Sequence, residues 1–563
     1  MSTPAVSFDT GIAMMRIVVG IPLIMIAVGV QAQSPGFLWA NPAGGPSNDR
    51  GAAVVVDADG NACVAGTVAY ETVFGDTTVT AGFADSFVAK YAPDGDLIWV
   101  RLGGGPDLDR GHSIGVDGFG NLYSTGFFRG SASFGAHTVV SAGRNDIFVV
   151  KYDADGEVDW ARRAGGIGDD SGLGIAVSAA GDRVAVTGYF ENSADFSGTP
   201  LTTSSESDIF VAVYDGSGAL AWARQAGAAD DYDDRGVDVA LTDAGDVVVT
   251  GVFEESATFG TTQLIGFDSE ESFVARYTLS GDLDWVAQIS GDGDETVSGV
   301  AIDALDHILV AGGFGNTLTI GDSTRFNPEA NADVFLARFS AGGTLDWVRQ
   351  VGGRLGGRAS SVVADLDDHI IISGDFQGDL EFDDVVLTHQ GGSDIFIAVY
   401  DAAGRYRWAR QAGGAGSPRS FGTAVNQAGE VFVTGDFIDT THFDGFTISQ
   451  VNLEDVFVAK LETVTGTGVE DPRPSASGVQ LSVYPDPFEQ QTSISYRLPR
   501  PQRHVTLSMY DVLGRRVWKW NKGYQGEGAY SVDFDGHGLA SGVYFCRLET
   551  EEFAYTRPVI RSK

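Results

Sequence analysis

The chain has 563 residues, with 76 acidic against 36 basic side chains and a formal charge of −40. Phosphate recognition needs clustered Lys and Arg, so this balance excludes nucleic acid as a partner class. A hydrophobic content of 43% with 11% aromatics is too high for a disordered acidic chain. Two cysteines support neither a disulfide framework nor a Cys-rich zinc site.

The first element reads as an address. Arg16 precedes an apolar run from Ile17 to Val30, followed by Gln31-Ala32-Gln33. That run is shorter than the ~20 residues a membrane-crossing helix needs. A positive charge, a short apolar stretch and small residues at Val30 and Ala32 mark residues 1–32 as a secretory signal cleaved after Ala32. No later run approaches spanning length. The mature chain is therefore expected without a transmembrane segment, secreted or on the outer cell surface.

A repeat follows. Trp39, Trp99, Trp160, Trp222, Trp285, Trp347 and Trp408 recur every 60–63 residues, each followed by the same order of features. A Gly-rich, often acidic loop leads to an alternating apolar stretch (strand A). A Val-rich run ends in Gly66, Gly126, Gly188, Gly251, Gly312, Gly374 or Gly435 (strand B). An acid then opens an aromatic strand (strand C), at Asp85, Asp146, Asp208, Glu271, Asp333, Asp394 and Asp455, and an Asp-Gly turn leads to the Trp strand (strand D). Short Val-, Ile-, Phe- and Tyr-rich runs bounded by Gly and Asp are strands. Small residues within strand C, such as Ala89 and Ala212, suit close approach of neighbouring sheets.

Four strands per unit, seven times over, predict an all-β, seven-bladed β-propeller over residues 36–462. The chain starts with a lone D strand around Trp39 and ends the array with a C strand at Asp455 that lacks one. The N-terminal strand is therefore expected to complete the last blade and remove the open sheet edge. Pieces between strands B and C, such as Ala132-Ser133-Phe134-Gly135, predict an extra hairpin at the blade edge. The Gly-Asn turn, the Val-rich strand ending in Thr-Gly, the Asp-x-Phe strand and the Trp resemble the bacterial β-propeller repeat (SBBP) family of secreted proteins. That resemblance implies a propeller and carries no agreed activity.

Residues 463–478 are small, polar and Pro-containing, as in a linker. Charge shifts across it: residues 33–462 hold 23 basic and 64 acidic groups, and residues 479–563 hold 11 and 9. Short alternating strands in 479–563 predict a small Ig-like β-sandwich. Tyr484-Pro485-Asp486-Pro487-Phe488, Asp511-Val512-Leu513-Gly514-Arg515 and the stretch holding Gly542 and Tyr544 resemble the type A C-terminal sorting domain of type IX secretion cargo. Asp486 stands where that family usually has Asn. The resemblance implies the type IX secretion machinery as a partner, with transport across the outer membrane.

The loops from each D strand to the next A strand share one face. Asp107, Asp109, Asp169, Asp170, Asp231, Asp233, Asp292 and Asp294 form an acidic sector there. Arg354, Arg358 and Arg419 form a basic one, and Asp49 lies beside Arg50. Hard oxygen donors in Gly-rich loops make those eight acids calcium candidates, although none of the loops has the spaced Asp-x-Asp-x-Asp-Gly pattern. No other cofactor and no catalytic residue is indicated. His307 and His369 occupy equivalent starts of strand B and read as a surface pair, and a bridge between Cys63 and Cys546 would have to join two modules. The leading expectation is a non-catalytic propeller binding a ligand, glycan or surface protein through its loop face. The alternative is a polysaccharide lyase or hydrolase with acids in the central cavity.

Overall fold

The computed structural model describes residues 35–463 and 480–562, with breaks at 204–205, 229–231, 267–269, 294, 327–331, 354–355, 383–384 and 451–452. Within the tail the breaks fall at 485–487, 489, 499–500, 503–504, 512–514, 527, 538 and 551–553. The expected signal segment, all of the expected linker but Thr463, and Asp231, Asp294, Arg354, Pro485, Asp486 and Pro487 lie outside the described residues.

The repeat folds into four-stranded antiparallel units that resemble propeller blades, each in the order A-B-C-D. In one unit these are Ser171–Val177, Arg183–Phe190, Asp208–Asp215 and Leu220–Gly227. Strand A of each unit contacts strand A of the next, and Arg419–Val425 meets Arg50–Val56, so the inner strands close a ring. The N-terminal strand Phe37–Gly44 pairs antiparallel with Asp455–Thr463, setting Ala40 opposite Ala459 and Pro42 opposite Phe457. This supplies the D strand missing from the end of the array.

The expected extra hairpins form, and each attaches to the sheet of the preceding unit. Glu71–Phe74 and Thr77–Thr80 extend the sheet that ends in Phe37–Gly44. In one place the strands run on unbroken. Leu122–Phe134 and His137–Tyr152 contain both the B and C strands and their hairpin, fusing two units into a ten-stranded sheet. The hairpins are thus staples between neighbours.

Core lies between consecutive sheets. One cluster joins Val184, Val186, Phe190 and Phe210 of one unit to Ile147, Val149 and Trp160 of the unit before it. Another joins Trp39, Phe432, Val456 and Val458 to Val54, Val64 and Phe87 across the closure. Ala89, Ala212, Ala275, Ala337, Ala398 and Ala459 are fully buried, where a larger side chain would push the sheets apart. Each Trp from Trp39 to Trp347 also reaches the C–D turn of the following unit. Trp160 Nε1 donates to the Gly216 carbonyl at 3.2 Å, and Arg162 donates to Ser217 and Gly218 at 2.9 Å. Gly218 has φ +76 and lies so close to the Trp160 ring that an added Cβ would sit 2.9 Å away, so the turn glycine is needed twice over.

The tail forms two antiparallel sheets around one core. Gln480–Tyr484, Gln491–Leu498 and Gly528–Asp535 face Arg516–Asn521, Val505–Asp511, Gly542–Thr550 and Ala554–Arg561. Ile494, Leu498, Leu507, Met509 and Leu548 are buried between them. The last strand holds a proline and sits at the sheet edge, the place in a sheet where proline is tolerated. Cys63 and Cys546 are free thiols in separate cores. The tail rests against the A–B turns: Arg547, buried, bonds Asp368 at 2.7 Å, and Arg516 faces Asp306 at 3.7 Å.

Replacing the buried Trp222 by Ala should cost about 3–5 kcal/mol through lost burial and an unfilled inter-sheet cavity. The chemical denaturation midpoint of the purified chain measures this, and an unchanged midpoint would refute the packing role.

Candidate functional site

Strand A sets up the site through simple alternation. Successive side chains on a strand point to opposite faces. The residue entering each A strand turns back between units, and the next one faces the central channel. The first position holds Asp49, Asp109, Asp170, Asp234 and Glu295, all fully buried. The second holds Arg50, Arg110, Arg235, Arg358 and Arg419, with Ser171 and Thr296 in the remaining units.

The glycine that ends strand B makes this geometry possible. Strand A carries a register shift beside it, as between Gly51 and Ala53. A Cβ on Gly66 would lie 2.0 Å from the Arg50 carbonyl and 2.8 Å from the Phe87 ring. The same clash with the carbonyl of the residue at the arginine position recurs at Gly126, Gly188, Gly251, Gly312, Gly374 and Gly435. Only glycine lets the bulged strand approach and present its arginine at the mouth.

The buried acids join neighbouring units. The Asp49 N–H donates to Glu454 O at 2.7 Å, the Asp109 N–H to Ala84 O at 2.8 Å and the Asp170 N–H to Asn145 O at 2.9 Å. Their carboxylates accept backbone N–H bonds from Ala69, Gly105 and Gly166. They also face the acids that open strand C, since an added Cβ on Gly104 would touch both Asp85 and Asp109. Burial pushes the Asp49 carboxyl up to about 7, Asp455 adding to the rise against the Ala69 and Thr72 bonds. Burial pushes Asp109 up to about 6, helped by Asp85, and Asp170 up to about 7, helped by Asp146. The strand-C acids tie the preceding loop to the D strand, as Asp394 does by accepting from Gln390 N–H at 2.6 Å and Gln411 at 2.7 Å.

The six calcium candidates among the described residues are not gathered into one place. Asp109 and Asp170 turn into the inter-unit pairs just described. Asp169 pairs with Arg144 at 3.1 Å, Asp233 accepts from Ser207 Oγ at 2.9 Å, and Asp107 lies over Gly130. The Asp292 backbone N–H donates to Thr317 Oγ1 at 2.9 Å. Among the described residues no group of three or more His, Cys, Asp or Glu could hold a metal ion. His307 and His369 each bond the aspartate of their own A–B turn, Asp303 and Asp365, at 2.8 Å rather than each other.

At the loop face the channel opens into a cavity of about 540 Å³. Its wall includes Arg50, Arg110, Arg235, Arg358, His112, Ser298, Ser360, Phe421 and Glu454. Arg50 lies over the Phe421 ring, 3.7 Å from its centroid. Burial, with Arg50 and Arg110 nearby, pushes His112 down to about 4 despite its bond to the Gly172 carbonyl. The far end of the channel holds a smaller cavity of about 280 Å³ lined by Asp57, Asp117 and Asp365. Of the expected basic residues, Arg358 lines this cavity and Arg419 lies over its Phe421 wall, and the lining also holds Arg50, Arg110 and Arg235. The acids beside them left the rim, being the alternate residues of the same strands. The signal available in sequence was an Arg immediately before the first small residue of strand A, as in Arg50-Gly51, Arg110-Gly111 and Arg235-Gly236.

Residues 482–562 match the family model of the secretion system C-terminal sorting domain. The tail is thus a type IX sorting domain, which marks the chain for export to the cell surface or medium. Of the expected motif, Phe488 and Tyr544 are buried in the tail core. No helix among the described residues is long and apolar enough to cross a membrane. An uncharacterized WD repeat-containing protein of Acanthamoeba polyphaga mimivirus is 23% identical over 76% of this chain, which spans 38% of that protein. The regulatory protein FlaEY of Caulobacter vibrioides is 29% identical over 26% of this chain, which spans 15% of its length. Among solved structures, a puromycin hydrolase aligns over 80% of this chain and 59% of its own, at 12% identity and a TM-score of 0.36.

The raised carboxyls dictate a pH dependence. The folded state holds protons that the unfolded chain has lost between about pH 4 and pH 7, so stability falls as pH rises through that window. The thermal midpoint should be roughly 5 °C or more higher at pH 5 than at pH 8. The Asp49→Asn/Asp170→Asn variant should show a flatter profile, which separates this effect from relief of overall charge repulsion. A wild-type slope unchanged in the variant would refute it.

Proposed function

We propose that the chain is an exported, non-catalytic β-propeller of seven blades, of the bacterial propeller-repeat kind, that binds a surface ligand through its loop face. The tail acts as an Ig-like sorting sandwich. The observation that carries the reading is the cavity of about 540 Å³ at the channel mouth, built from equivalent positions of several units. Its volume falls in the range of ligand sites. The tail rests on the opposite face and leaves this mouth open.

The lining favours holding a ligand over transforming it. Arginine keeps its proton under all ordinary conditions and cannot serve as a base. A histidine pushed down to about 4 is far from the operating range of a general acid or base at neutral pH. The acid in the lining, Glu454, is engaged by Arg419 at 2.7 Å.

Two measurements test this. Deleting residues 479–563 should abolish surface display in a type IX-competent host, and persistence of display would contradict the export role. Ser298→Trp should fill the mouth and weaken capture of glycans or envelope components at least about tenfold without lowering the thermal midpoint. Unchanged capture would place binding elsewhere, and turnover of any glycan by the wild type would favour the polysaccharide-acting alternative.

A further inference from the structure

The mouth carries a charge opposite to that of the domain around it. Residues 33–462 hold 23 basic and 64 acidic groups, yet four arginines line one opening and a fifth, Arg419, lies over its Phe421 wall. Arg235 is engaged by Glu270, and Arg419 by Asp436 and Glu454. Arg50, Arg110 and Arg358 are exposed to the channel and have no carboxylate within ion-pair reach among the described residues.

Burial disfavours the charge on Arg50 and its neighbours Arg419 and Arg110 add to this, while Asp436 and Glu454 work against it. Arg358 and Arg419 face Asp375, which burial shifts toward its protonated form. Like charges gathered with no directly paired carboxylate repel one another, Asp436, Glu454 and Asp375 compensating only from beyond ion-pair reach, and an incoming anion would relieve that repulsion. Arg50 is also braced on Phe421, so little side-chain freedom remains to be lost on binding.

The surrounding charge limits the size of the ligand. A long polyanion would run out over a domain of net −41 and be repelled, whereas one anionic group on the end of a chain reaches only the arginines. Neutral hydroxyls and an amide from Thr67, Ser298, Ser360 and Asn48 share the cavity and suit sugar hydroxyls. We infer that the mouth binds the terminal, negatively charged sugar of an acidic glycan, with its oxyanion held by Arg50, Arg110 and Arg358. The shared chemistry is a planar or tetrahedral oxyanion, carboxylate or sulfate, for which guanidinium forks are the matching donors. This inference rests on the proposed loop-face binding and adds the ligand class.

The test is calorimetry on the full chain with trigalacturonate, a sulfated oligosaccharide and neutral xylotriose, at low and high salt. Binding is expected for one or both acidic probes, weakening with salt, and the arm that binds identifies the carboxylate or sulfate. Each of Arg50→Gln, Arg110→Gln and Arg358→Gln should weaken it about tenfold, with Lys replacements restoring part of the loss. Removing an unpaired surface cation should leave the fold intact, which the thermal midpoint checks. Equal binding of the neutral probe, indifferent to the three variants, would overturn the charge assignment and leave loop-face binding standing. Failure of every probe would also overturn it, and capture lost in Ser298→Trp would then show that the mouth binds something else.

Discussion

Pairing of Phe37–Gly44 with Asp455–Thr463 is the constraint from which the rest follows. It joins segments separated by over four hundred residues, so its entropic cost is met only after the intervening units have assembled. Each unit buries its apolar face solely against its neighbours, and the cluster around Trp39, Phe432, Val64 and Phe87 exists only once the ring is shut. The channel mouth straddles this seam. Arg419 and Phe421 come from the last unit and Arg50 from the first, and the 3.7 Å stacking of Arg50 on Phe421 is a contact across it.

Strand alternation explains how an acidic domain comes to have a cationic opening. An acid and an arginine that are adjacent in sequence, such as Asp109 and Arg110, part company on folding. The acid enters the gap between sheets, accepts backbone N–H bonds and shifts toward its neutral form. The arginine is left facing the channel. Net charge therefore governs what can approach the domain as a whole, and local register governs what the mouth can hold.

Much of the architecture was legible because repetition amplifies weak signals. A single Val-rich run ending in glycine is ambiguous, while seven at one spacing, each followed by an acid-led aromatic strand, define the sheets. The unpaired D strand at Trp39 pointed to closure for the same reason. The site was less legible. Arg354, Arg358 and Arg419 stood out because their loops lack acids, but Arg110 and Arg235 were masked by acidic neighbours whose burial a linear reading does not show. Asp109 and Asp170 read as loop residues in the sequence for the same reason, and the structure turns both between sheets. In the tail, the proline and charges of Ala554–Arg561 disguise an edge strand.

The most direct measurement is a cross-link at the seam. Asn41→Cys and Val458→Cys place thiols on paired residues of the closing strands without enlarging either side chain, while the native Cys63 and Cys546 stay buried. The account predicts that the folded double variant, oxidised in air, forms one intrachain disulfide and loses two hydrogen atoms in intact mass, and that its thermal midpoint rises above that of its reduced form. Two persistently reduced thiols in a folded protein, each modified independently by a small reagent, would contradict closure and the mouth built upon it.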